Sequence, residues 1–382
     1  MGTAPQMNPV MLNAQARSIV AGNAVKMTQN ILSTSINPAT SPQVNVQPRN
    51  VGLILGFIVE ISGTVLNTAA AQLDRTGLGS SNILRSVAFN DLNNVQRINT
   101  TGSHLALLNS ARQGFGFGGA YAPNLPMGYG NNYSPFQGPA SIAAGANTGA
   151  VRHTFYVPLA YSQNDLRGAI YASVVNATMN LQLNLNASPC VAAATAGNTQ
   201  LNAIYTGNAL GGWQGNLTLN VYQVYLDQIP MANGVPFLPM QDLNTIYDIK
   251  NTAQTGLTTG QDFPINYANF RQFLSTVVIN DNAGQFNAGT DVNYFSLVAA
   301  NSTNIFKVTP NIAALLARQT FMTDPPSGVY YFEHRDKPID TITYGNQQLV
   351  VNPSVCNAGQ QLIVGYEAFQ QTNSLPSAAS LD

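Results

Sequence analysis

Several groups of residues in this 382-residue chain have the types and spacing that chemistry uses. Gly114, Gly116 and Gly119 repeat the G-x-G-x-x-G spacing of loops that cradle phosphates. A dinucleotide loop also needs a preceding strand and a helix whose N-terminus receives the phosphates. Here Phe115, Phe117 and Tyr121 stand among the glycines and no alternating β–α pattern surrounds them, so they read as turn glycines in a long loop. His334, Arg335 and Asp336 imitate the catalytic triplet of protein kinases, but Thr341 occupies the position of the metal-binding Asn. None of the lysines, Lys26, Lys250, Lys307 and Lys337, has the required strand setting. His104, His153 and His334 form no pair at helical spacing, and with Cys190 and Cys356 they make no recognisable metal set. Asp281, Asn282, Asn287 and Asp291 carry oxygen ligands, but the spacing fits no calcium loop and Asx turns between strands account for it. No G-x-S-x-G elbow occurs. The expectation is a chain with no catalytic residue, no cofactor and no metal.

Composition points away from a free enzyme. Only 8% of the residues are charged, against roughly 25% in ordinary soluble domains, and Asn, Gln, Thr, Ser and Gly take their place. Charge normally keeps monomers apart, so a neutral polar surface suits a protein packed against copies of itself. Fifteen Lys and Arg against 16 Asp and Glu supply no basic face for phosphates, so direct nucleic-acid contact is not expected. Two cysteines in so long a chain read as free thiols in a reducing compartment. With no apolar run long enough to span a bilayer and no signal-like start, the chain is expected to be soluble and made in a cytoplasm.

The elements that must position these residues are mostly strands. Val51, Leu53, Leu55, Phe57, Val59 and Ile61 alternate along one face of a long strand, as do Met179, Leu181, Leu183 and Leu185. Leu217, Leu219 and Val221 begin a third, running into Tyr222, Val224 and Tyr225. Pro310 to Gln319 reads as a helix capped by Thr309, with Ile312, Leu315 and Leu316 as its apolar stripe. Phe155–Ile170 and Tyr330–Tyr344 share an aromatic strand, a polar turn with Asp and Arg, and a second strand, which points to a duplicated unit. Residues 1–45 read as an arm, and an amphipathic helix is expected from Leu12 through Ala16, Arg17, Ile19, Val20, Lys26 and Met27 to Ile31. Such a helix either docks on a protein surface or turns its basic face to an anionic partner such as lipid. Residues 36–50 read as a linker, 46–248 and 249–371 as two sandwiches, and 372–382 as a tail. A carbohydrate-binding or carbohydrate-cleaving sandwich is the competing reading, carried by loop residues such as Tyr121, Tyr129, Asn131, Asn132 and Tyr133.

Longer strings decide between them. VPLAYSQNDLRGAIYASV (157–174), VYQVYLDQIP (221–230), the segments between Asn251 and Tyr294, GVYYFEHRDKPIDTITYGN (328–346) and GYEAF (365–369) recur in order through the chain. With NVGLILGFIVEISG near residue 50, the chain resembles the major capsid proteins of tectiviruses, tailless bacteriophages with an internal membrane. The resemblance implies an all-β double jelly roll, two eight-stranded sandwiches side by side with an N-terminal amphipathic helix and a few short helices. It also implies a homotrimer of pseudo-hexagonal outline that tiles an icosahedral shell over a lipid membrane, with minor capsid or vertex proteins as partners. The N-terminal helix around Arg17 and Lys26 is then expected near that membrane. The termini, 1–45 and from Thr372, are expected to differ between capsid environments, and a minor or vertex protein of the same virus type is a further alternative.

Overall fold

The computed structural model describes residues 9–76, 79–113, 136–162, 164–172, 178–192, 203–207, 211–282, 285–286, 291–299, 303–321, 328–356 and 360–371. Period-two alternation builds most of them. Eight principal strands make a first sandwich: β1 (Val25–Ile36), β2 (Gln43–Val46), β3 (Leu53–Asn67), β4 (Leu84–Asn90), β5 (Gln96–Thr100), β6 (Asn147–Pro158), β7 (Asn180–Leu185) and β8 (Leu217–Asp227). Eight more make a second: β9 (Thr245–Gln254), β10 (Phe263–Asn266), β11 (Arg271–Asn282), β12 (Val292–Ala299), β13 (Thr303–Val308), β14 (Val329–Glu333), β15 (Gln347–Pro353) and β16 (Gln361–Gln371). The helices are α1 (Pro9–Asn23), α2 (Gly102–Gln113), α3 (Met240–Leu243) and α4 (Pro310–Phe321).

In the first sandwich one sheet runs β1-β8-β3-β6 and the other β2-β7-β4-β5, every neighbour antiparallel. The second repeats this as β9-β16-β11-β14 and β10-β15-β12-β13. That strand order is the jelly roll, and it occurs twice. The repetition extends to register. Val87 lies opposite Thr100 and Phe295 opposite Val308, so an offset of 208 residues relates the two hairpins. The third strand of each sandwich bulges at one leucine: Leu55 is passed over in β3 and Leu274 in β11.

Inward residues of β3, Phe57, Val59 and Ile61, join Phe89, Phe155 and Leu219 in the first core. Phe273, Val278, Phe295, Phe332 and Val351 fill the second. The opposite face of the second sandwich is buried too. Tyr247, Ile249, Leu274, Val277 and Tyr331 belong to the same apolar cluster as Leu105, Leu107 and Leu108 of α2. The two sandwiches are also stitched by a parallel pair in which Ile98 of β5 lies beside Ile249 of β9 and Asn99 beside Lys250.

Three expectations need correction. The first helix ends at Asn23, so Lys26 and Met27 lie on β1, not on the helix. Gly22 and Asn23 interrupt the helix, the Asn23 amide donates to the Ile19 carbonyl, and the i, i+4 spacing of Met27 and Ile31 also satisfies a strand's period of two. Residues 25–46, read as arm and linker, supply the first two strands of the first sandwich. A division at 248/249 falls inside β9, which begins at Thr245 and belongs to the second. Helix α4 forms where its sequence predicts, but Ala313 and Ala317 face the core while Ile312, Leu315 and Leu316 point outward. The two small alanines let α4 pack closely on β14.

Candidate functional site

Two places in this sparsely charged chain hold a buried carboxylate paired with an arginine from a distant element. The first is the seam between the sandwiches, entered by α2. Thr101 caps the helix, its hydroxyl accepting the His104 N–H at 3.3 Å. His104 is fully buried, its Nδ1 is 2.6 Å from the Thr100 hydroxyl, and its ring lies flat against β16 at Gly365. A Cβ on Gly365 would sit 2.5 Å from that ring, so the close approach requires glycine.

At the other end of α2, Arg112 donates to the Tyr161 carbonyl at 3.0 Å, to the Tyr247 hydroxyl and to the Glu367 carboxylate. Glu367 is fully buried on β16 and also accepts from the Tyr247 hydroxyl at 2.6 Å and the Ser275 hydroxyl at 3.0 Å. Arg335 approaches it to 3.8 Å and pairs with Glu333 at 3.1 Å. Burial acts to raise the Glu367 carboxyl, but Arg112 and then Arg335 outweigh it, so its pKa is lowered and it stays ionised. Burial lifts the Tyr247 phenol well above its ordinary range. Burial also pushes both His104 and His334 down to about 4, so each is neutral at pH 7. Both oxygens of Glu367 are engaged by protein donors. The arrangement locks one sandwich to the other and exposes no activated nucleophile.

The second place is the N-terminal helix. Asn13, Ala16 and Val20 form its buried stripe, and Val20 packs with Leu53, Leu166 and Leu226 beneath the first sandwich. Arg17 straddles the buried carboxylate of Asp242 in α3, with Nε 2.5 Å from Oδ2 and Nη2 2.6 Å from Oδ1. The Asn13 amide donates to the same carboxylate at 2.9 Å, and the Asn13 oxygen accepts the Gln241 N–H at 2.9 Å. Of the residues predicted for a membrane-facing helix, Ala16 and Val20 therefore face their own chain and Arg17 is paired. Ile19 is half-buried, Leu12 is exposed beside Val10 and Met11, and Lys26 and Met27 sit on the outer strand β1.

Among the described residues no group of three His, Cys, Asp or Glu side chains is placed to hold a metal, and no helix is long and apolar enough to cross a membrane. Cys190 and Cys356 are free, and burial pushes the Cys190 thiol up to about 12. Asp281 lies buried on β11, accepting from the Gln361 amide at 2.7 Å, and Asn287 lies outside the described residues. The glycine loop from Gly114, with Tyr121, Tyr129, Asn131, Asn132 and Tyr133, also lies outside them, as do 1–8 and the tail from Thr372. Sequence reading missed Arg112, Glu367 and Asp242. Their only signal is that each is charged in a chain with few charges.

Two family models divide the chain as its strands do: P3 major capsid protein N-terminal over residues 7–229 and P3 major capsid protein C-terminal over residues 244–381. The chain belongs to the P3 major capsid protein family. It is 38% identical over 371 residues to Major capsid protein P3 of Enterobacteria phage PRD1, spanning 97% of this chain and 93% of that one. The STIV MCP crystal structure superposes with a TM-score of 0.63 at 11% identity, covering 94% of this chain and 99% of the other. Major capsid protein P2 from bacteriophage PM2 superposes with a TM-score of 0.51 at 9% identity, covering 92% and 99%. Those neighbours share the double jelly roll. As a P3-type coat protein the chain is structural, not enzymatic, and its place is the virion capsid. The carbohydrate reading is set aside.

Proposed function

We propose that three copies associate into a pseudo-hexagonal capsomer, and that these capsomers tile an icosahedral shell over an internal lipid membrane. The observation that carries this reading is the duplicated sandwich: two jelly rolls of the same strand order stand joined side by side in one chain. Three such chains give six similar units around a ring. A neutral surface favours such packing, because few charges must be desolvated where copies meet. The exposed apolar start of α1, Val10, Met11 and Leu12, is the part of the N-terminal helix left to meet the membrane. Minor capsid or vertex proteins would meet other edges of the capsomer. Synthesis and assembly in the cytoplasm of a bacterial host follow from the same reading.

The test is native mass. A dissociation-resistant species of three times 40.6 kDa is expected by light scattering or native mass spectrometry. A stable monomer would overturn the capsomer. For the membrane, co-flotation of the protein with anionic vesicles is expected to weaken when Met11→Asp is introduced, and an unchanged flotation would remove α1 from that role.

A further inference from the structure

The seam inside one chain has an unfilled counterpart. Helices α2 and α4 are each 12 residues long and follow β5 and β13. Each packs on equivalent strands of its own sandwich, α2 on β6 and β4, α4 on β14 and β12. The offset of 208 that relates the preceding hairpins places Ile312, Leu315 and Leu316 where α2 carries His104, Leu107 and Leu108. The three residues of α2 are at most 1% exposed, because the second sandwich covers them. Their counterparts on α4 are 46%, 51% and 43% exposed.

The seat is duplicated as well. In the second sandwich, α2 rests on the sheet face formed by Tyr247, Ile249, Leu274, Val277, Tyr331 and Glu367. Strand pairing locates the matching positions in the first. Leu55 and Leu274 are the two bulge residues, flanked by Val224 and Glu367 on the neighbouring strand. Tyr156 lies opposite Ile58 as Tyr331 lies opposite Val277. Counting along the first strand from the same bulges sets Lys26 with Tyr247 and Thr28 with Ile249. Lys26, Thr28, Leu55, Ile58, Tyr156 and Val224, with Ser162, line one open cavity of about 360 Å³. The molecule thus carries a helix face without a seat and a matching open cavity, whose floor residues Leu55 and Val224 are buried and whose walls are Lys26, Thr28, Ile58 and Tyr156.

Strand edges match in the same way. The parallel pair β5–β9 joins the sandwiches within the chain. Their counterparts, β13 and β1, pair only with β12 and β8 respectively among the described residues. We infer that α4 of one copy seats in the Leu55–Tyr156 cavity of a second copy. In this contact β13 runs parallel to that copy's β1 and sets Phe306 and Lys307 beside its Thr28 and Gln29. The contact is heterologous, so it excludes a two-fold pair and, closed by a three-fold rotation, gives a ring. The inference rests on the trimer reading and specifies the surface that makes it.

Two variants of the full chain test it. Leu315→Cys combined with Ile58→Cys is expected to give oxidised species of two and three chains on a non-reducing gel, absent from either single variant. Leu315→Asp with Leu316→Asp is expected to weaken association by roughly 30-fold or more, with the far-ultraviolet circular dichroism of the wild type retained. A wild-type trimer that yields no such cross-link and survives the aspartates overturns this interface while leaving the trimer standing. A wild-type monomer overturns the trimer reading, and the interface with it. If the aspartate variant fails to fold, the cysteine pair decides alone.

Discussion

Arg112, in the last turn of α2, forms an ion pair with the fully buried carboxylate of Glu367 on β16, 255 positions later in the chain. It ties the sandwiches together where Glu367 is shut off from solvent, so the pair is strengthened by its low-dielectric setting. Removing one charge from a buried pair strands the other, at a cost of about 3–5 kcal/mol, whereas removing both together costs far less. Arg112→Met is therefore expected to lower the denaturant midpoint sharply. Arg112→Met with Glu367→Leu should recover much of the loss, and a double-mutant cycle in urea measures the coupling. Additive losses would show that the pair contributes nothing as a pair.

Acid should loosen the same seam before it titrates the carboxylates. His104 and His334 have pKa values of about 4 when folded, against about 6.5 in an unfolded chain. Between those values the unfolded chain binds more protons. Stability is thus fully present above pH ~6.5 and falls as pH drops toward 4, by up to about 1.4 kcal/mol per pH unit for each histidine. Glu367, with its lowered pKa, adds a separate loss below the ordinary glutamate range near 4.3. Urea midpoints at pH 7 and pH 5 are expected to differ, and His104→Leu should reduce that difference. Equal midpoints in the wild type would refute buried neutral histidines.

Period-two alternation exposes β3, β7 and β8 in the sequence because each has one face in the core and one in a polar setting. The likeness of Phe155–Ile170 to Tyr330–Tyr344 is likewise physical, since Tyr156 and Tyr331 hold equivalent places on β6 and β14. Strand β1 escapes notice because it lies at a sheet margin and buries little, so Met27 and Ile31 mimic a helical repeat. The direction of the α4 stripe is not legible for a different reason. Amphipathicity shows that a helix has an apolar face but not which protein surface covers it. The seam itself is invisible, since pairing across 255 positions leaves no local pattern.

Helix α1 is held by few groups, so its docking should be separable from the fold. Asp242 is 3% exposed at its side chain and Arg17 supplies two of its hydrogen bonds. Arg17→Ala leaves a buried carboxylate short of donors, a penalty of about 1–3 kcal/mol borne by the contact between α1 and α3. Faster amide hydrogen exchange over residues 9–23, with unchanged protection in β3 and β16, is the expected result. Uniform loss of protection would mean that α1 is integral to the first sandwich.

Gly365 tests how tightly the sandwiches are fitted. It lies on β16 outside the left-handed region of φ, so alanine meets no left-handed strain there. The added methyl would approach the His104 ring to 2.5 Å, and α2 is fixed on its other side by Leu105 in the core. Overpacking of this kind typically costs about 1–3 kcal/mol. Gly365→Ala is therefore expected to lower Tm by several degrees. Combining it with His104→Ala should relieve the clash, making the double variant more stable than additive losses predict. Strict additivity would place the strain elsewhere and separate the glycine from the histidine.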